Sequence, residues 1–150
     1  MTLENLLAIH RLQAFEATPS GVLRLLASAE RNLADAHLRE LSNDNRFDAA
    51  YKTIMQCAMI GLWAKGFRTA TSQPGHHQTA LQTLPKTLGT AADTVIVLDA
   101  LRRQRNLNDY EGDPVTDAAV RECLSQAEAL LAHTRQWLQG HRPDLLTGNP

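Results

Sequence analysis

The sequence has few aromatic residues, few cysteines and no long apolar run, and each shortage excludes a class of protein. Only 5% of its 150 residues are Phe, Trp or Tyr, so few side chains favour β-strands. No stretch approaches the roughly 18 apolar residues of a membrane-spanning helix. The two cysteines, Cys57 and Cys123, have no second Cys or His at metal-ligand spacing and are expected to be reduced thiols. The net charge of −1 excludes polyanion binding through overall charge, so a nucleic-acid site must be a local patch.

The composition is otherwise that of a globular protein, with 43% hydrophobic and 21% charged residues. Residues 1–13 include Glu4 and lack both a basic segment and a small-residue cleavage site, so we expect no signal peptide. We therefore predict a cytoplasmic protein that does not associate with membranes. The length and the absence of repeats or Ser/Gly linkers predict one domain over residues 1–150.

Alanine and leucine are abundant and recur at helical spacing, which predicts helices separated by turn residues. The stretch 95–98 has the composition of a strand but stands alone, so we assign it to the buried face of the fifth helix. We predict an all-α fold, an up-and-down bundle of four long helices plus one or two short helices. Its core covers about residues 19–139, and the tail from Gly140 is expected to fray. The predicted helices are residues 3–14, 19–41, 45–68, 76–88, 91–108 and 116–139, and Pro85 is expected to kink or end the helix 76–88.

The densest polar cluster spans residues 102–113 and includes three arginines within four positions. On a helix, Arg102 and Arg105 share a face, and so do Arg105 and Asp109. The turn-forming residues that follow predict that this helix ends near Leu107. One interpretation is a solvated helix end whose cations interact with the helix dipole. The other is a phosphate or nucleic-acid site, because guanidinium groups bind phosphate oxygens in pairs; composition alone leaves both open.

Four short motifs occur in order along the predicted helices. They are Asp-Ala-Ala-Tyr-Lys at 48–52, Leu-Trp-Ala-Lys-Gly-Phe-Arg at 62–68, Gly-His-His at 75–77 and Arg-Asn-Leu-Asn-Asp-Tyr at 105–110. In this order the sequence resembles the HEPN superfamily, small all-helical bacterial domains often encoded beside nucleotidyltransferases. The resemblance covers roughly residues 19–139. The last motif is similar to the signature of one branch, an Arg, three residues and Asp-Tyr.

The resemblance implies that the site lies at this last motif. Asp109 is expected to orient Arg105, while Tyr110 closes the site with its hydroxyl group. HEPN members with ribonuclease activity carry a His four to six residues after the Arg, but position 110 is Tyr, a poorer base at neutral pH. The implied catalytic residues are Arg105, Asp109 and Tyr110, and the implied phosphate-binding residues are Arg102, Arg103, Arg105 and Asn106.

Three functions follow as alternatives. The first is a HEPN-like domain that binds nucleic acid or nucleotide, as one half of a toxin–antitoxin or nucleotidyltransferase pair. The second is a metal-independent ribonuclease in which Arg105 stabilises phosphorane charge and Tyr110, Asp109 or a histidine from elsewhere moves the proton. The third is a helical interaction module without a ligand. The resemblance also implies a homodimer whose arginine motifs face one another.

Other chemistry has little support in the sequence, so we expect no metal and no cofactor. Adjacent His76 and His77 point in different directions on a helix, and one of them is expected to cap or pack at its start. Tyr51, Met55 and Trp63 recur at helical spacing and are expected to be core residues. No glycine-rich phosphate loop and no local nucleophile–base pair is present.

Overall fold

The computed structural model describes residues 1–147 and is predominantly helical, which confirms the predicted all-α class. Four helices are long, with 18 to 25 residues each. The up-and-down order of these four helices stays a prediction. In chain order the elements are α1 (Leu3–Ala8), β1 (Leu12–Ala14), α2 (Pro19–Ala36), α3 (Asn43–Ala64), β2 (Phe67–Thr69), α4 (His76–Gln82), α5 (Leu84–Thr87), α6 (Ala92–Glu111), α7 (Asp117–His141) and a short 3₁₀ helix (Pro143–Leu146).

A two-stranded antiparallel ribbon was not predicted. Strands β1 and β2 pair with Leu12 opposite Thr69. Strand β1 lies within the predicted helix 3–14, and β2 begins inside the predicted helix 45–68. Both helices end earlier than predicted, and the chain reverses through left-handed backbone at His10 (φ 63°) and Gly66 (φ 92°). Three-residue strands are too short to show an alternating pattern, and each needs a partner far away along the chain.

The C-terminal tail is ordered as far as Leu146, so the prediction that it frays from Gly140 is wrong for these residues. Helix α7 continues to His141, and Leu145 in the following 3₁₀ helix is buried. Arg142 explains this order because its Nη1 donates to the carbonyl of Ala64 at 2.6 Å, which ties the tail to the end of α3. Residues 148–150 of the predicted tail lie outside the described residues.

Two other predicted helices have different bounds. Helix α2 ends at Ala36 and not at residue 41. The N–H groups of His37 and Leu38 bond the carbonyls of Ala34 and Asp35, three residues back, which tightens the last turn and closes the helix. The predicted helix 76–88 is divided into α4 and α5 at Thr83, just before Pro85, which lacks the N–H that would continue α4.

Helix α3 is the centre of the core. Twelve of its 22 residues are buried, and it contacts α2, α4, α6 and α7. Tyr51 and Met55 are buried as predicted, whereas Trp63 is partly exposed. The assignment of 95–98 to a buried helix face holds only in part, since Leu98 is fully buried and Ile96 is 69% exposed. No helix within residues 1–147 is long and apolar enough to cross a membrane.

Candidate functional site

Helix α6 carries the arginine cluster and is longer than predicted. It ends at Glu111, so the prediction of an end near Leu107 is wrong. Asp109 therefore lies inside the helix, and its carboxylate is one turn from Arg105, with Oδ2 3.1 Å from the arginine Nε. Gly112 then takes the left-handed conformation (φ 72°) that commonly follows a helix. Arg105 therefore lies inside a regular helix, where its direction is defined by the backbone.

Arg105 lies between two carboxylates and an aromatic ring. Its Nε is 3.1 Å from Asp109 Oδ2 and 3.6 Å from Asp48 Oδ1, which belongs to α3. Its Cζ lies 5.5 Å from the centre of the Tyr51 ring. The Nε is inaccessible to solvent and is not aligned for a hydrogen bond, so the two carboxylates hold it by charge alone. The side chain is 30% exposed, so part of it reaches solvent.

Tyr51 and His77 form the second part of the site. Helix α3 positions Tyr51 with its ring buried, and the first turn of α4 brings His77 Nδ1 to 3.2 Å from the tyrosine hydroxyl. The direction of this hydrogen bond follows the His77 tautomer. Burial raises the pKa of Tyr51 to about 12, although Arg105 and Arg102 act in the opposite direction. Tyr51 is therefore a neutral hydroxyl at neutral pH.

His77 is neutral at neutral pH. Burial lowers the pKa of its imidazole below the ordinary value of 6.5, and electrostatic interactions with His76, Arg105 and Arg102 lower it further. A neutral imidazole that uses Nδ1 as a donor to Tyr51 keeps Nε2 as a proton acceptor. In that tautomer Nε2 can accept a proton from a ligand in the cleft that His77 and Arg105 both line.

These side chains line one cleft of about 410 Å³ between α3, α4 and α6. This volume lies within the usual range of small-ligand sites. Its wall combines the cations Lys52 and Arg105 with a stretch of apolar surface from two methionines. The lining residues are Asp48, Tyr51, Lys52, Met55, Gln56, Met59, His77 and Arg105.

Two predicted phosphate-binding arginines share a different carboxylate. Arg102 Nε bonds Asp99 Oδ1 at 2.8 Å, and Arg103 Nη2 bonds Asp99 Oδ2 at 2.9 Å. The hydrogen bond from Arg102 is the main reason that the pKa of Asp99 lies below its usual value. Arg102 is largely buried and adds positive charge near Tyr51 and His77. Arg103 is 71% exposed and does not line the cleft.

Tyr110 and Asn106 do not join the cleft. Tyr110 is 84% exposed, so its hydroxyl does not close the site beside Arg105 as expected. Five helical residues place it about 140° around α6 from Arg105, and the extension of α6 past Leu107 enforces that angle. Asn106 is half-buried and makes no side-chain hydrogen bond within the described residues. Asp109 does lie against Arg105, in the position expected for an orienting carboxylate.

Sequence reasoning missed Asp48 and His77 as members of this site and placed Tyr51 in the core only. The sequence did contain an indication that these residues matter, because all three belong to the motifs at 48–52 and 75–77 on which the family resemblance rests. Their proximity to Arg105 depends on the packing of α4 and α6 against α3. Helical spacing within one segment could not show it.

No group of three or more His, Cys, Asp or Glu side chains within residues 1–147 is arranged to hold a metal ion. Compared with protein-family models, with curated proteins and with solved structures, the chain matches none. The resemblance to the HEPN superfamily therefore stays a prediction that rests on the four motifs.

Proposed function

We propose that the chain is a HEPN-like domain, an up-and-down helical bundle that binds a phosphate group of RNA or of a nucleotide at Arg105. The observation that carries this proposal is the position of Arg105 in the cleft, where Asp109 and Asp48 hold its Nε. An arginine restrained in this way loses less entropy on binding than one that moves freely. Its terminal nitrogens suit the paired oxygens of a phosphate.

The rest of the cleft supports a nucleotide ligand. Lys52 adds a second cation, and the Met55 and Met59 side chains offer apolar surface for a base or a ribose. Gln56 is held in place by α2, where its Nε2 donates to Ser28 Oγ at 2.9 Å. The cleft thus combines phosphate-binding cations with a wall that suits a flat organic group.

The test is binding of a fluorescein-labelled RNA octamer, measured by fluorescence anisotropy in low salt. We expect Arg105→Ala to weaken binding about tenfold or more, as the loss of a charged hydrogen bond of roughly 1.5–3 kcal/mol implies. Arg103→Ala is the matched control, because it removes the same charge from the same helix outside the cleft. We expect Arg103→Ala to retain binding within about twofold.

Equal affinity of the Arg105→Ala variant and the parent chain would contradict the proposal. Thermal unfolding of both variants shows whether the fold is intact, and we expect a loss below about 1 kcal/mol because the Arg105 ion pairs are partly exposed. If the parent chain binds neither RNA nor nucleotides, a helical interaction module becomes the better interpretation.

The partners of this proposal come from the resemblance, which implies a homodimer and a nucleotidyltransferase or antitoxin partner. Exposed apolar side chains on α6 offer surface for such contacts, namely Ile96, Leu107 and Tyr110. Sedimentation equilibrium tests the homodimer, for which we expect twice the chain mass of 16.6 kDa.

A metal-independent ribonuclease is the second candidate, and the position of His77 favours it. Although the motif histidine is missing after Arg105, His77 reaches the same cleft from α4. In this reaction His77 Nε2 takes the proton of a ribose 2′-hydroxyl, and the 2′-oxygen forms a bond to phosphorus. The bond to the 5′-oxygen breaks, water supplies its proton, and Arg105 stabilises the added charge.

This candidate predicts RNA cleavage that persists in EDTA and leaves 2′,3′-cyclic phosphate ends. A substrate with a single 2′-deoxy position should resist cleavage there. His77→Ala should abolish cleavage and retain RNA binding, whereas Arg105→Ala should reduce both. Full cleavage by the His77→Ala variant would exclude His77 as the base.

A further inference from the structure

A second cluster of arginines lies away from the cleft, and we call it the arginine corner. It consists of Arg39 in the loop after α2, Arg46 on α3 and Arg121 on α7. Together with Asp117 and Val120 they line a pocket of about 320 Å³. No residue of this pocket belongs to the cleft at Arg105.

The positive charge of the arginine corner is not balanced by ion pairs. Within residues 1–147, none of its three arginines has a carboxylate within 4.0 Å, in contrast to Arg105 and Arg142. The pocket contains one carboxylate, that of Asp117. Its Oδ1 already accepts a hydrogen bond from Asn43 Nδ2 at 2.8 Å.

Hydrogen bonds position the elements that form the arginine corner. Arg46 Nε donates to the carbonyl of Ala36 at 2.9 Å, which restrains the side chain and leaves its two terminal nitrogens without a protein partner in the described chain. Asn43 donates to Asp117 and also to the carbonyl of Val115 at 3.1 Å, so the start of α3 is joined to the start of α7. Arg46 and Arg121 are therefore carried by two helices in a defined relation.

We infer that the arginine corner binds a phosphate group, as a site separate from the cleft at Arg105. Three guanidinium groups and one carboxylate line this pocket, so its net charge is positive and favours an anion, and the planar forks of the arginines match phosphate oxygens. The pocket has no aromatic side chain, and Val120 is its one apolar lining residue within the described chain. Recognition there rests on the phosphate group and not on a base.

The experiment is a titration of the ¹⁵N-labelled chain with inorganic pyrophosphate, followed by heteronuclear NMR that includes the arginine side-chain Nε signals. We expect saturable shifts of Arg46 and Arg121 and of the backbone at the start of α3 and α7. Arg39→Ala and Arg121→Ala should each weaken this binding about fivefold or more. Arg31→Ala is the matched control, because Arg31 is an exposed arginine of α2 without an ion pair in the described residues.

Two results would overturn the inference. One is the absence of saturable shifts at the arginine corner with both pyrophosphate and the RNA octamer, even if signals near Arg105 respond, and that response would leave the proposed function intact. The other is an equal loss in the Arg31→Ala variant, which indicates attraction by general charge. Conversely, shifts at the arginine corner that persist in the Arg105→Ala variant support the inference, whether or not the cleft at Arg105 binds a phosphate group.

A second titration, with RNA in place of pyrophosphate, identifies the source of the phosphate group. An RNA octamer without terminal phosphates offers only internal phosphodiesters, whereas pyrophosphate represents a small phosphorylated ligand. Corner shifts with the octamer alone indicate a nucleic-acid backbone, and shifts with pyrophosphate alone indicate a small ligand. Either result supports a phosphate site, and a response to neither probe refutes it.

Discussion

Gly61 lies where α3 packs closely against Thr87 and Leu88, and its replacement by alanine tests how tightly the core is packed. A Cβ at this position would lie 2.7 Å from Thr87 Oγ1 and 2.9 Å from Leu88 Cγ. Both neighbours are buried, with 3% and 1% exposure, so neither side chain can move freely into solvent. An added methyl group must therefore displace α5 from α3.

Two effects of opposite sign decide the magnitude. Alanine is favoured over glycine in a helix by about 1 kcal/mol, while overpacking of a core costs about 1–3 kcal/mol. Because both contacts are below 3.0 Å and buried, we expect the cost of overpacking to exceed the gain in helix propensity. Gly61→Ala should therefore lower the free energy of unfolding by about 1 kcal/mol. For a chain of this length the melting temperature should fall by roughly 2–4 °C.

The assay is urea and thermal unfolding followed by circular dichroism. Gly140→Ala is the matched control, because it makes the same change in α7 with no heavy atom within 4 Å of the new Cβ. We expect Gly140→Ala to be neutral or more stable by a few tenths of a kcal/mol, since it lies near a helix end. A Gly61→Ala variant as stable as Gly140→Ala would refute the close packing of α3 on α5.

Two further predictions concern pH and the restraint of Arg105. Burial raises the pKa of Tyr51 from 10.0 to about 12, and it raises the pKa values of Cys57 and Cys123 from 9.0 to about 12. The unfolded chain therefore loses these protons at a lower pH than the folded chain does. The free energy of unfolding should fall as the pH rises from about 9 to 12. Urea midpoints measured at about pH 8 and pH 10.5 test this, and an unchanged midpoint would contradict the burial of these groups. Asp109→Asn removes the carboxylate that orients Arg105, so we expect RNA binding to weaken about threefold or more, whereas the loss of a negative charge alone would strengthen it. Anisotropy titrations decide between the two signs.

The sequence alone was sufficient for the helical class and for the approximate location of each long helix. Apolar residues such as Val22, Leu26 and Ala29 recur at the helical period on α2, and this local pattern depends on no distant partner. The pairing of Arg105 with Asp109 was also predictable, because residues four apart on a helix are neighbours whatever the tertiary structure.

The ends of the helices depended on contacts that one segment cannot reveal. Strand β2 replaced the predicted end of the third helix because β1 was available to pair with it. The tail after α7 is ordered because Arg142 reaches the carbonyl of Ala64, which lies at the end of another helix. Interactions between residues far apart in the chain outweighed local propensity in both places.

The membership of the candidate sites was decided by tertiary structure. The sequence pointed to residues 102–110 as one continuous site, but a helix distributes neighbouring residues over all its faces. Arg105 therefore faces α3 and meets Asp48, Tyr51 and His77, while Arg103 and Tyr110 face solvent. A sequence specifies which chemical groups are available and how one helix spaces them; only the packing of α3, α4 and α6 determines which of them share a cleft.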